Sequence, residues 1–568
     1  MKKEEYAESL VVHFRRADVL RKQALSLVAV DLNERQLFDL ELLLNRGYYP
    51  LTGFMDQGCY RSVLEKMTLP DGTIWPVPVC LDLGAAVAEK LVPGQLVALN
   101  DQEGFLLAVM RITEVWQPDK KTEARQVYGT DDRDAHPGVA RLFEQTASWY
   151  VGGDIEGVSL PIHYDFLQLR LPPAETVRRF AMNGWRRILG FHTEQYLHCA
   201  HREMILDTAR ELGASVFLQP VAGLDHPGDI DFYTHIRCYQ VFTEKFPPNM
   251  ITLGLLPFAS RHAGPRDALF QAIIRKNFGC SHFMVAEHHA DPFVLADGNG
   301  AKPFYEKGSA QQLVADYADR TGIEMVPQLE YGYCETRARY FPFHDDTTRE
   351  LEEITSAELQ RRMIQNEDIP EWFIWPDMVA ELHYAFPPKS RQGFTVFMTG
   401  LSGSGKSTIA KVLLVKFMEM RDRPVTLLDG DIVRKNLSSE LSFSREHRDL
   451  NVTRIGFVAS EITKNGGIAL CAPIAPYEES RRINRQLISR YGGYIEVYVS
   501  TPLEVCEQRD RKGLYAKARS GRVTGVTGIT DPYNPPSNPD ITIDTSVMTP
   551  MEAVQEILLC LRQRGYLA

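Results

Sequence analysis

Gly400, Gly403 and Gly405 are followed directly by Lys406 and Ser407 in the run Gly400-Leu401-Ser402-Gly403-Ser404-Gly405-Lys406-Ser407-Thr408. This is G-x-x-x-x-G-K-[ST]. Its glycines let successive backbone N–H groups turn inward on phosphate oxygens. The apolar run Phe394–Thr399 precedes it and a helical pattern follows to about Met420, so a helix N-terminus faces the same anion. Lys406 is placed to reach the β- and γ-phosphates of ATP, and the Ser407 hydroxyl to hold Mg²⁺ on the nucleotide.

A second group of polar residues stands downstream. Val425-Thr426-Leu427-Leu428 reads as a strand, and Asp429-Gly430-Asp431 sits at its C-terminal end, the edge where open α/β sheets bind ligands. Asp431 is a candidate to take a proton from a substrate hydroxyl. A DGD triplet alone also fits a turn. Its neighbours Arg434, Phe443, Arg448 and Asn451 add anion-binding groups and an aromatic, which fits a stacked base with a charged tail. The stretch from Lys512 to Arg519, then Gly525-Val526-Thr527-Gly528-Ile529, is basic and glycine-containing, like a lid; a solvated helix face is the bland alternative.

The rest of the chain must position these groups. Residues 1–165 read as β-rich, with apolar runs 96–99 and 106–110 broken by Gly, Pro and Asp. Residues 166–345 alternate short strands (187–191, 216–218, 250–253, 282–285) with longer helices such as 198–212, which predicts a parallel sheet. Residues 346–390 form a small helical linking segment ending in Pro387-Pro388-Lys389-Ser390, and 391–568 a second α/β unit. At roughly 150 residues per domain, 568 residues predict about four domains. The formal charge of −11 argues against a nucleic-acid partner, so positive charge must be concentrated at anion sites. Nine cysteines without a CxxC pair, no apolar leader and no run long enough for a membrane span predict a cytoplasmic protein without a membrane association.

Residues 391–568 resemble adenylylsulfate kinase. The matching runs are GLSGSGKST, LLDGDIVRKNL, SFSREHRDLNVTRIG, IAPY, KGLYAKARSG, GVTGITDPYNPP and NPDITIDT. The resemblance implies phosphorylation of the 3′-hydroxyl of adenosine 5′-phosphosulfate (APS) by ATP, giving 3′-phosphoadenosine 5′-phosphosulfate (PAPS). It implies Asp431 as the catalytic aspartate. Asp429, Arg434, Arg448 and Asn451 would hold APS, Phe443 would stack on its adenine, and Lys512 would act from the lid. Two positions depart from the family. Ala475 stands where a serine is often found, which excludes a phosphoserine there. Val526 replaces a second stacking phenylalanine and would make one face of the adenine site aliphatic.

Residues 1–385 resemble ATP sulfurylase, through PLTGFM at 50–55, DGTIWPVP at 71–78, RHAGPRDA at 261–268, IIRKNFGC at 273–280 and IPEWF at 369–373. The resemblance implies a PUA-like N-terminal domain, a Rossmann-like nucleotidyltransferase domain and adenylyl transfer from ATP to sulfate. Its signatures are altered. The first, Gln-x-Arg-Asn-Pro-x-His-x-x-His in the family, reads His192-Thr193-Glu194-Gln195-Tyr196-Leu197-His198-Cys199-Ala200-His201; the second, Gly-Arg-Asp-His-Ala-Gly, reads Ala286-Glu287-His288-His289-Ala290-Asp291. Two arginines have become Glu194 and Glu287, while His198, His201, His289 and Arg261 remain. One unit charge at ~4 Å and a dielectric of about 20 is worth ~4 kcal/mol, here with the sign reversed. The sequence therefore predicts an adenylylsulfate kinase whose sulfurylase-like part is inactive and serves oligomerisation. The alternatives are a bifunctional enzyme making PAPS from sulfate and a non-catalytic nucleotide-binding module. His192, His198, His201, His282, His288 and His289 also raise metal ligation, against which stands the lack of a completing Cys or Asp set. The family implies a homo-oligomer, dimer or hexamer.

Overall fold

The computed structural model describes residues 9–567 except 194, 223–230, 297–299, 344–350, 443 and 511–512. The chain divides into two compact units, Met1–Ser356 with Pro370–Ala385, and Ala357–Ile369 with Phe386–Ala568.

Among the described residues the first unit holds two large sheets over one continuous apolar core, and two two-stranded sheets besides. In the N-terminal sheet, Leu96–Asn100, Leu106–Trp116 and Trp149–Gly157 run antiparallel, and Val28–Asp31 joins in parallel. The short strands Gly53–Phe54 and Leu81–Leu83 both pair with Trp149–Gly157. Six helices accompany this sheet, so the region is more helical than its Gly- and Pro-punctuated sequence indicates. The helix Glu34–Leu44 starts at a capping box, Asn33 with Gln36, whose reciprocal bonds satisfy N–H groups the helix leaves open.

The second sheet is parallel throughout, in the order Glu324–Pro327, His282–Val285, Ile188–Phe191, Ser215–Leu218, Ile251–Leu253. Four of these strands fall where the apolar runs predict them; the edge strand Glu324–Pro327 is not among those predicted. Ile188–Phe191 and His282–Val285 are buried at every residue, as sheets covered on both faces require. The helix Pro265–Asn277 clamps the two sheets together. Arg266 donates to the Leu64 and Pro76 carbonyls at 3.1 and 3.2 Å, and the Asn277 amide to the Gly47 and Tyr49 carbonyls at 2.9 Å each.

The second unit is a five-stranded parallel sheet, ordered Val425–Asp429, Ile468–Ala472, Phe394–Gly400, Gly493–Val499, Ile541–Ile543. The predicted strand at 394–399 is its central strand, buried along its whole length, and the helix after it spans Lys406–Met420. The linking stretch supplies the helices Ser356–Gln365 and Pro376–Ala385.

Candidate functional sites

In the C-terminal unit three chemistry-bearing segments leave the same edge of the sheet. The phosphate loop follows Phe394–Gly400, Asp429 ends its strand, and Ile474-Ala475-Pro476-Tyr477 follows Ile468–Ala472. Parallel strands force this convergence, since their C-terminal ends all face one way.

Gly400, Gly403 and Gly405 have φ values of +150°, +77° and +102°. A Cβ on Gly400 would lie 2.5 Å from the Val499 carbonyl oxygen, so only glycine fits there. Lys406 is buried, and its ammonium donates to the Gly400 and Leu401 carbonyls at 2.9 and 2.6 Å. The hydroxyls of Thr501 and Thr545 hold the Ser404 carbonyl at 3.1 and 2.9 Å, and the Tyr515 hydroxyl holds that of Ser402 at 2.8 Å. Ser402 is half-buried and Ser404 buried, while Ser407 and Thr408 face outward at the start of the helix. An exposed hydroxyl beside inward-turned N–H groups suits Mg²⁺ carried by a nucleotide.

Asp429 is buried at its strand end, and Asp431 is the second residue of the helix Gly430–Leu437. The Asp431 side chain, Phe443 and Lys512 lie outside the described residues. Arg434 donates to the carbonyls of Leu441 and Ser442, both at 3.1 Å, bending that stretch back over the helix. Arg448 and Asn451 lie near the start of the helix Arg445–Lys464, which Ser444 caps. Arg448 pairs with Asp531 at 2.6 Å, and the buried Asn451 amide oxygen has no partner.

Ala475 is buried with φ +44°. Its carbonyl accepts from the Thr399 hydroxyl at 3.0 Å and from the buried Arg481 at 2.7 Å. The Tyr533 hydroxyl meets that of Thr399 at 2.9 Å. Val526 does not form an aliphatic face for a base, as its position in the sequence suggests. It is buried among Cys506, Tyr515 and Ala518, in the small core of the lid. A cleft of about 500 Å³ runs between Leu401 and Leu503 on one side and Gly528–Tyr533 on the other.

In the N-terminal unit the strand ends gather a different set. His192 follows Ile188–Phe191, Gln219 follows Ser215–Leu218, and His289 lies just past His282–Val285. The His192 and His289 rings are 6.2 Å apart. His289 lies 3.2 Å from the Gln271 amide oxygen. Between these groups stands Arg275, fully buried. Its guanidinium donates to the Gln271 side chain at 3.1 Å and to the Gln219 carbonyl at 3.2 Å. Burial lowers the pKa of Arg275 to about 10, still charged at neutral pH. Burial first, and Arg275 second, push His289 down to about 3 and His192 well below the usual imidazole range. His198 stands directly before the helix Cys199–Leu212 with its ring 4.0 Å from that of His201, and burial takes His201 down to about 4. These imidazoles are therefore neutral, and the Arg275 guanidinium is the positive charge beside His192 and His289. The Arg275 Nε, the His192 Nδ1 and both amide atoms of Gln219 are buried without a hydrogen bond. Such a set asks for a polar, anionic guest.

Arg275, Gln219 and Gln271 escape a reading by motif. The available signal is an arginine directly after the apolar pair Ile273-Ile274, in a helix buried at ten of its positions. Arg261, by contrast, is held by both oxygens of Asp39 at 2.7 Å. Gln195 is exposed, its N–H bonded to the Thr193 hydroxyl at 3.1 Å, and Glu194 lies outside the described residues.

Family models match in sequence along the chain: a PUA-like domain over residues 4–160, ATP-sulfurylase over 167–385 and adenylylsulphate kinase over 392–544. A sulfate adenylyltransferase of Mycosarcoma maydis is 43% identical over 553 residues, 96% of each chain. The chain belongs to the sulfate adenylyltransferase family. A further member, from Aspergillus fumigatus, is 43% identical over 97% of this chain and 96% of its own. The solved structure described as a hexameric APS kinase from Thiobacillus denitrificans is 37% identical, with a TM-score of 0.77 over 99% of this chain and 98% of its own.

These relatives correct the expectation of an inactive N-terminal part that serves only oligomerisation. Proteins alike from end to end carry the name of the adenylyl-transfer reaction itself. The charge argument failed for a physical reason. It placed Glu194 and Glu287 against the anion; Glu194 lies outside the described residues, and the Glu287 side chain is 40% exposed and paired with Lys307 at 3.0 Å. It also overlooked Arg275, which supplies a buried positive charge between the histidines.

Proposed function

We propose that this enzyme activates sulfate in two steps. In the N-terminal unit a sulfate oxygen attacks the α-phosphorus of ATP, the bond to the β-phosphate oxygen breaks, and APS and pyrophosphate form. In the C-terminal unit the 3′-oxygen of APS attacks the γ-phosphorus of a second ATP, giving PAPS and ADP. The observation that carries this reading is a phosphate loop in one unit and a buried arginine beside unpaired polar groups in the other, in a chain that matches sulfate adenylyltransferases from end to end.

For the first step, Arg275 with neutral His192 and His289 supports charge neutralisation among buried side chains, where such groups act more strongly than in water. For the second, Asp431 takes the 3′-hydroxyl proton and Lys406 releases its carbonyl partners to follow the transferring phosphoryl group. Arg434, Arg448 and Asn451 hold the phosphosulfate and ribose, Phe443 the adenine, and Lys512 closes over the nucleotide. Ser407 would hold Mg²⁺, which neutralises β- and γ-phosphate charge when bound. We further place the enzyme in the cytoplasm as a homo-oligomer, dimer or hexamer. Each of its nine cysteines is free, and no helix among the described residues is long and apolar enough to cross a membrane.

Incubating the full chain with ATP, Mg²⁺ and labelled sulfate tests the proposal. PAPS and pyrophosphate are expected together. Consumption of supplied APS without any pyrophosphate from sulfate would reject the first step, and APS accumulation without PAPS the second.

A further inference from the structure

Arg448 is already neutralised. Its Nη1 donates to the Asp531 carboxylate at 2.6 Å and to the Thr527 hydroxyl at 3.0 Å, and its Nη2 to the Gly525 carbonyl. The Tyr477 hydroxyl donates to the same Asp531 oxygen at 2.7 Å. The two charged side chains are only 11% and 21% exposed. Asp531 is anchored as well: its N–H bonds the Val526 carbonyl at 3.1 Å, and its carbonyl accepts from Gly528 at 2.8 Å. It also lines the cleft beside Leu401 of the phosphate loop.

Given the kinase reading above, on which this rests, the geometry points to Asp531 as an internal stand-in for the substrate's phosphosulfate. The carboxylate keeps Arg448 oriented while APS is absent, and an incoming anion must take the guanidinium from it. The exchange makes affinity depend on charge. A dianionic phosphosulfate can replace one carboxylate, whereas neutral adenosine cannot. It also loosens the 525–531 loop, because Arg448 fastens that loop to the helix Arg445–Lys464 through three of its groups. Asp531 is thus a specificity-determining residue that sets the threshold for APS binding without taking part in phosphoryl transfer.

The test is calorimetric titration of APS into the full chain with ADP present, for the parent, Asp531→Asn and Asp531→Glu. Removing the competing charge is expected to tighten APS binding about 5- to 30-fold in Asp531→Asn, the effect of one to two kcal/mol. The glutamate variant should stay close to the parent, and ADP affinity should not change in any of them. Unchanged or weaker APS binding by an ADP-competent Asp531→Asn would overturn the inference. If that variant does not bind ADP, limited trypsin cleavage at the exposed Arg522 of the parent decides. Faster cleavage with APS than with adenosine supports the exchange, and equal rates overturn it. A parent that binds ADP but not APS would overturn the kinase reading instead.

Discussion

At the scale of single residues, the two sites use positive charge differently. Lys406 rests on backbone carbonyls and Arg448 on a carboxylate, so both are poised to exchange partners. Arg275 has no carboxylate and stays buried among neutral imidazoles. Replacing it with methionine, of similar length and uncharged, is expected to lower ATP formation from APS and pyrophosphate by about 100-fold or more, as loss of a preorganised charge does. PAPS formation from supplied APS should persist, and steady-state assay of both reactions in one preparation checks the pair of outcomes. Asp431→Ala should do the reverse, cutting PAPS formation by at least about 100-fold while pyrophosphate release from ATP and sulfate continues. The phosphate loop was legible in the sequence because its chemistry depends on fixed local spacing. Arg275 was not, because its meaning depends on which strand ends fold around it. Glu287 shows the converse: a residue's charge does not say where its side chain points.

At the scale of elements, the parallel sheets do most of the positioning. Six of their ten strands were legible as short apolar runs, and the register then brings residues far apart in sequence to one edge. The helices of the first 165 residues were less legible, since the turn residues between them resemble the punctuation of a β-rich domain. The fold of the kinase edge rests on Arg481, which ties the Ala475 and Asn534 carbonyls together at 2.7 and 2.8 Å beside Glu496. Arg481→Ala would strip the Asn534 carbonyl of this donor, leave the Ala475 carbonyl with the Thr399 hydroxyl alone, and leave the buried Glu496 with Arg485 as its remaining guanidinium partner. It is expected to destabilise the C-terminal unit by about 3 kcal/mol, read from denaturant unfolding.

At the scale of the whole molecule, acid should act on the two units unequally. Five histidines of the N-terminal unit have pKa values lowered chiefly by burial: His136 to about 4, His201 to about 4, His289 to about 3, and His192 and His198 well below the usual range. The unfolded chain takes up protons near pH 6.5, where these folded sites do not, so protonation favours unfolding. Their contribution is full above about pH 6.5 and falls as the pH drops toward about 4. Calorimetric scans should show the melting transition of this unit shifting to lower temperature over that window. A flat transition would contradict the neutral, buried state of the imidazoles.

Two-step sulfate activation by one chain is tested most directly by pyrophosphate release from ATP and sulfate, measured on the full-length Asp431→Ala variant. That variant removes the kinase reaction and leaves the first step to be read alone. Pyrophosphate and APS accumulating in equal amounts is the predicted result. No sulfate-dependent pyrophosphate from a folded, ATP-binding variant would contradict the account.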